Sequence, residues 1–180
     1  MDKELFFEKL FINSELADKI CSDLNLTRRE YSEYSMRFDE ERKEEIVQIK
    51  RIRKLYHNKE ASKDLDLIDF PDFNAFYKWY KNQYEKQGGK CYYCKTDERV
   101  IAALFEIKFN NRKRTNRGKH LEIERKDSIN NKYSQGNCVL ACYFCNNDKS
   151  DIFNEHEYLE YLKDRKSFLI NQYEKLNDTK

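Results

Sequence analysis

Apolar positions in the first half of the chain recur at helical spacing. Leu5, Phe6, Leu10 and Phe11 form one stripe, and Leu16, Ile20 and Leu24 form a second, with Ser14 as its predicted cap. Thr27-Arg-Arg-Glu30 is a capping box, in which two side chains satisfy two backbone N–H groups that a first helical turn leaves open. The helix it opens carries Tyr31, Tyr34, Phe38, Ile46, Ile49, Ile52 and Tyr56 near one face, with solvated charge from Asp39 to Glu45. Asn58 to Phe70 reads as a polar connector. Asp72 then caps a helix bearing Phe73, Phe76, Tyr77, Tyr80 and Tyr84, which Gly88-Gly89 ends. No glycine precedes Gly88 and Pro71 is the sole proline, so tight turns are not expected early in the chain. Glu15 to Tyr34 fits either a helix-turn-helix or an ordinary helical hairpin.

The period changes after Gly118. Lys119 to Arg125 alternates, with Leu121 and Ile123 on one face and His120, Glu122 and Glu124 on the other, the pattern of a half-buried strand. Ser128 to Gly136 is polar and turn-rich, Cys138 to Phe144 suits a second strand, and Asn146 stands at a predicted helix start. Upstream, Thr96 is placed as the cap of a short helix to about Phe105, although Ile101 to Phe109 reads nearly as well extended. Asn154-Glu-His-Glu157 is a capping box for a C-terminal helix through Tyr158, Leu162, Leu169 and Tyr173. The fold class is therefore α+β: a helical region over 1–87, a strand–turn–strand–helix core over 88–153, and a C-terminal helix over 154–180.

Composition refines this reading. Charged residues make up 38% of the chain, a level that by itself suggests disorder, but aromatics at 14% supply material for a packed core. The net charge of +2 implies no partner. Its distribution does: Lys108, Arg112, Lys113, Arg114, Arg117 and Lys119 follow one another with no acid between them, a pattern suited to nucleic-acid phosphates. No apolar run approaches the ~18 residues needed to span a bilayer, and MDKELFFEKL lacks a signal peptide's apolar segment. No membrane partner and a cytoplasmic location are expected.

Of the six cysteines, four form two CxxC pairs, Cys91/Cys94 and Cys142/Cys145. In a chain expected to stay in a reducing compartment, such spacing points to one four-thiolate zinc site with no open position for catalysis. Cys21 and Cys138 are expected to be small buried apolar residues. Glu124 ends the first strand and Asn146 directly follows the last cysteine. The strand–loop–strand–helix order would bring these two oxygen donors together, a set suited to magnesium.

With these residues in view, the chain resembles the HNH, or ββα-metal, endonucleases. That family pairs an Asp-His on the first strand with an Asn before the second strand and a CxxC followed by His or Asn on the helix. The matching residues are Glu124-Arg125, Asn137, and Cys142-Tyr-Phe-Cys145-Asn146. The resemblance runs from Cys91 to about Phe153 and leaves the N-terminal helices uncovered. Arg125 stands where the family has its histidine base, and a guanidinium stays protonated and cannot take a proton from water. Trp79-Tyr80, CYYC, ERKDS, YSQGN, LACYFCN and KSDIF are similar to the Pac-type, rare-cutting restriction branch of the family, which also has arginine at this position.

The resemblance implies a zinc-stapled ββα-metal core and a magnesium-dependent DNA endonuclease, a phosphodiester hydrolase of restriction or defence type acting on double-stranded DNA. It places magnesium on Glu124 and Asn146, Arg125 on a phosphate oxygen, Tyr80 or His120 beside the attacking water, and Asn137 as a brace of the inter-strand loop. A homodimer through the N-terminal helices would supply two active sites for a double-strand cut. The alternatives are a non-catalytic zinc module that binds nucleic acid and a nicking or homing-type nuclease.

Overall fold

The computed structural model describes residues 2–107, 117–130, 132–163, 170 and 173–175. It is a mixed α+β protein that divides into two compact units, 1–80 and 81–180, and the division falls inside a helix.

In the first unit, α1 (Lys3–Phe7) runs into a wider π-helical turn, Glu8–Ile12, and is followed by α2 (Ala17–Leu24), α3 (Arg28–Glu41) and α4 (Lys43–Ala61). The π turn rotates the predicted stripe. Phe6 and Phe7 are buried, while Leu5 is exposed. Ser14 does not cap α2: its φ is +54°, and Leu16 occupies the cap position without a side-chain bond. Cys21, expected to be buried, is half-exposed. The Thr27/Glu30 capping box is present in full.

The single helix predicted after Thr27 is broken at Arg42, whose φ of −121° and ψ of 28° end α3. The Arg42 guanidinium lies 3.6 Å from the centroid of the Phe7 ring and pairs with Glu4 and Glu45. A cation thus sits at the bend, shielded by an aromatic face and two carboxylates. α4 then extends into the predicted connector. Phe38, Ile46, Ile49, Ile52 and Tyr56 are all buried, as are Leu65 and Phe70.

The helix α5 (Phe73–Lys86) contains the division between units. The second unit continues with α6 (Glu98–Ile107), β1 (Glu122–Arg125), β2 (Cys138–Ala141), α7 (Tyr143–Lys149) and α8 (Glu155–Tyr161). Asp97 rather than Thr96 starts α6, since its carboxylate accepts the Arg99 N–H at 2.8 Å while Thr96 is buried. β1 and β2 are antiparallel, pairing Glu122 with Ala141, Ile123 with Leu140, Glu124 with Val139 and Arg125 with Cys138. Both strands are shorter than predicted. α7 starts at Tyr143, earlier than Asn146, because Cys142 acts as its cap and accepts the Cys145 N–H. The Asn154/Glu157 capping box opens α8, which ends at Tyr161. Leu169 lies outside the described residues.

Backbone groups of β2 that point away from β1 are satisfied locally. The Gln87 amide donates to Leu140 O at 2.7 Å and accepts from Leu140 N at 3.0 Å, and Tyr92 N donates to Leu140 O at 2.9 Å. A side-chain amide therefore stands where a third strand would pair.

Gly118 brings the chain into β1 at φ +102°, and a Cβ there would lie 2.3 Å from the Phe105 ring. Gly118→Ala should therefore destabilise the second unit by about 2–4 kcal/mol, through left-handed strain plus overpacking. A lowered urea midpoint with unchanged slope would register it; an unchanged midpoint would mean that the loop simply shifts.

Candidate functional site

Four cysteines from two separate segments meet in the second unit. The turn after α5 supplies Cys91 and Cys94, while the end of β2 and the first turn of α7 supply Cys142 and Cys145. Their Sγ atoms all lie within 4.8 Å of one another, and all four residues are buried. Cys94 and Cys142 Sγ are 3.8 Å apart. Zn–S arms of about 2.3 Å in a tetrahedron give edges of about 3.8 Å, so the cluster has the dimensions of a four-thiolate site. Backbone N–H groups point at the sulfurs: Cys142 N lies 3.3 Å from Cys91 Sγ, and Cys145 N lies 3.4 Å from Cys142 Sγ. Thr96 Oγ1 is 3.2 Å from Cys94 Sγ. Crowding splits the thiols. Hydrogen bonds with Cys145, Cys91 and Cys94, together with burial, push the Cys142 thiol far up, whereas hydrogen bonds from Cys142 and Cys145 hold Cys94 down. A metal such as zinc would allow all four to ionise.

Beside the cluster, β1 faces α7 with two carboxylates. Glu122 accepts two hydrogen bonds from Arg117, both at 2.9 Å, and one from Asn146 Nδ2 at 2.6 Å. Glu124 is 5% exposed and Lys149 is 0% exposed; Lys149 Nζ lies 3.2 Å from Glu124 Oε1 and 2.6 Å from Ser128 Oγ. The two residues paired by sequence, Glu124 and Asn146, thus sit on facing elements but hold different neighbours. Asn146 touches Glu122, and Glu124 touches the lysine one turn further along α7. Tyr93, between the first two cysteines, is fully buried, and its hydroxyl has no hydrogen-bond partner among the described residues. Burial raises its pKa, and the Glu124 and Glu155 carboxylates raise it further.

Arg125 follows Glu124 at the end of β1 and lies over the Tyr133 ring at 5.2 Å. Asn137 braces the loop as expected: its Oδ1 accepts from Asp127 N, and its Nδ2 donates to the carbonyls of Asp127, Asn130 and Lys132. His120 is half-exposed, with Nδ1 2.8 Å from a Glu98 oxygen, and the other Glu98 oxygen accepts the Leu121 N–H. A carboxylate partner requires Nδ1 to be the donor, so the neutral ring presents its lone pair at Nε2. Tyr80 belongs to the first unit, where it is buried and its hydroxyl accepts from Arg51 at 3.1 Å.

Lys108, Arg112, Lys113 and Arg114 lie outside the described residues. Arg117 and Lys119, the described part of the basic run, are ion-paired with Glu122 and Glu106. Sequence reasoning did not single out Glu122, Lys149 or Glu98. The alternation of β1 placed Glu122 on the Glu124 face, and Lys149 follows Asn146 at a helical spacing; both were readable signals. Glu98 reaches His120 through the tertiary fold and leaves no local trace.

Comparison with known protein families, with curated proteins and with solved structures finds no match to this chain. No helix among the described residues is long and apolar enough to cross a membrane.

Proposed function

We propose that the protein is a magnesium-dependent DNA endonuclease whose ββα core is stapled by zinc on Cys91, Cys94, Cys142 and Cys145. The observation that carries this reading is the juxtaposition of β1 and α7 beside the cysteine cluster, with Glu122 and Glu124 on one element and Asn146 on the other. The donor set fits a hard cation in kind: carboxylate oxygens, and an asparagine whose amide N–H is already committed to Glu122. The Tyr93 hydroxyl, without a hydrogen-bond partner among the described residues and with its pKa raised by burial and then by Glu124, suits a hydrated neighbour. Bound there, magnesium would stabilise the leaving oxygen of a phosphodiester.

The chain's own residues supply the rest. Lys149 holds the Glu124 side chain in place from beneath. Arg117 and Asn146 fix Glu122. Arg125 carries a permanent charge and a planar donor fork, suited to a phosphate oxygen as charge develops on it. Within the second unit, water activation falls to His120, oriented by Glu98.

Incubation of the purified protein with mixed duplex DNA, with and without magnesium, tests the reading. Discrete fragments indicate a site-specific enzyme and smearing a nonspecific one. Arg125→Ala should lower the cleavage rate on the order of 10²–10³-fold, the cost of losing one transition-state donor. Arg125→Lys should recover part of it, since a point charge lacks the fork. His120→Ala tests the water-activating group, and Tyr80→Phe, which removes only a hydroxyl bonded to Arg51, tests the role that the family resemblance gives Tyr80. Unchanged cleavage in Glu124→Ala, Arg125→Ala and Asn146→Ala alike would overturn the site.

A second reading, a non-catalytic zinc module that binds nucleic acid, draws on one observation. Lys149 already places a positive charge against Glu124, where the cation would sit. Duplex binding without cleavage at any magnesium concentration would establish it.

A further inference from the structure

We propose that the second unit carries another nucleic-acid contact surface, a cleft that grips duplex DNA by its phosphates. The cleft, about 430 Å³, lies between the last turn of α5, the Tyr92–Lys95 turn and the start of β2. Lys86, Lys95 and Lys126 line it together with Gln83, Gln87 and Gln135, and among the described residues no aspartate or glutamate does. The neighbouring cleft, about 570 Å³, shares Lys126 and Gly136 with it but is lined by Asp127 and Glu155. One side of this shared wall is therefore cationic and the other mixed.

Ion pairing distinguishes the three lysines from several others among the described residues. Lys9, Lys19, Lys119, Lys149 and Lys163 each lie within 4.0 Å of a carboxylate. Lys86, Lys95 and Lys126 have no such carboxylate among the described residues. Lys95 donates to the Tyr92 carbonyl and lies 4.8 Å from the centre of that ring, which holds its ammonium at the cleft. Tyr92 itself donates its hydroxyl hydrogen to Glu155.

The chemistry selects the partner. Lysines are point charges that neutralise phosphates without reading sequence, and glutamine amides donate to phosphate oxygens. Among the described residues no arginine fork lines the cleft to recognise a base edge. A polyanionic backbone matches three cations along one groove better than a single small anion does. None of its lysines belongs to the Lys108–Lys119 run, so it would give the chain a further hold on the duplex. This inference rests on the nucleic-acid part of the proposed function and not on cleavage.

The test is the salt dependence of duplex binding by the full zinc-loaded chain, comparing wild type with Lys86→Gln/Lys95→Gln/Lys126→Gln. Each phosphate contact contributes about 0.9 to the slope of log K against log salt, so the triple variant should lose about 2–3 from it, whatever the DNA sequence. An unchanged slope overturns the proposal. So does loss of zinc with the slope intact, which would mean that the lysines only offset the negative four-thiolate site. Displacement of DNA by millimolar inorganic phosphate would reassign the cleft to small anions. Should the triple variant lose zinc and binding together, Lys86→Gln alone, on the exposed end of α5, decides: a slope lower by about 1 at full zinc content upholds the surface, and an unaltered slope removes it. Wild-type protein that binds no duplex at all would instead overturn the functional reading.

Discussion

A Cys142→Ser chain is expected to lose its metal and, with it, the folded state of the second unit. Cys142 serves three structures at once: it joins β2 to α7, its sulfur caps α7, and its backbone N–H points at Cys91 Sγ. Structural zinc contributes on the order of 10–16 kcal/mol in small metal-folded peptides, more than the whole stability of a typical domain. The effect on the two units should differ. Residues 81–180 include a two-stranded sheet too small to be stable by itself, whereas the first unit buries its own apolar set from Phe6 to Phe70. Metal analysis and circular dichroism should show zinc gone and part of the helix signal retained, and a strong chelator should reproduce this with the wild-type protein. A chain that stays fully folded without zinc would refute the staple.

Breaking the Lys149–Glu124 pair should have the second-largest effect. Both side chains are almost completely buried, so Lys149→Met removes a cation 3.2 Å from a carboxylate in a low-dielectric interior. Loss of one member of a buried pair costs about 3–5 kcal/mol, whereas replacing both by apolar groups of similar volume is often near neutral. Lys149→Met should therefore lower the urea midpoint sharply, and Glu124→Leu/Lys149→Met should regain most of the loss. The double variant should fold and bind zinc yet not cleave DNA, which separates the electrostatic role of the pair from any catalytic role of Glu124. Additive single-variant losses would show that the two side chains are not coupled.

What the sequence made legible follows from the range over which each signal acts. Capping boxes at Thr27 and Asn154 are contained within four residues, and both are present as read. The two CxxC pairs are far apart in the chain, but their spacing states a geometry, and the four sulfurs do converge. The break at Arg42 was not legible, because a charged residue in a charged run looks solvated until Phe7 is known to lie under it. The partners on β1 were only half readable. Alternation placed Glu122 and Glu124 on one face, but only the packing of α7 decides that Asn146 meets the first and Lys149 the second. Thr96 and Ser14 had the right chemistry for caps one to three residues from where the helices begin.

The amide of Gln87 has a consequence for how this protein fails. A sheet of two strands has two open margins, and an open margin is a template on which another chain can add. On β2 that margin is occupied from within: Gln87 and Tyr92 take up Leu140, and the Cys91 sulfur takes up the N–H of Cys142. Two of these three guards belong to the turn that holds Cys91 and Cys94, so they stay in place only while the thiolates are gathered. Demetallation would then do more than unfold a domain. It would uncover the apolar run Cys138-Val-Leu-Ala141 as an adhesive strand, so that loss of the ion is followed by aggregation rather than by a soluble apo form.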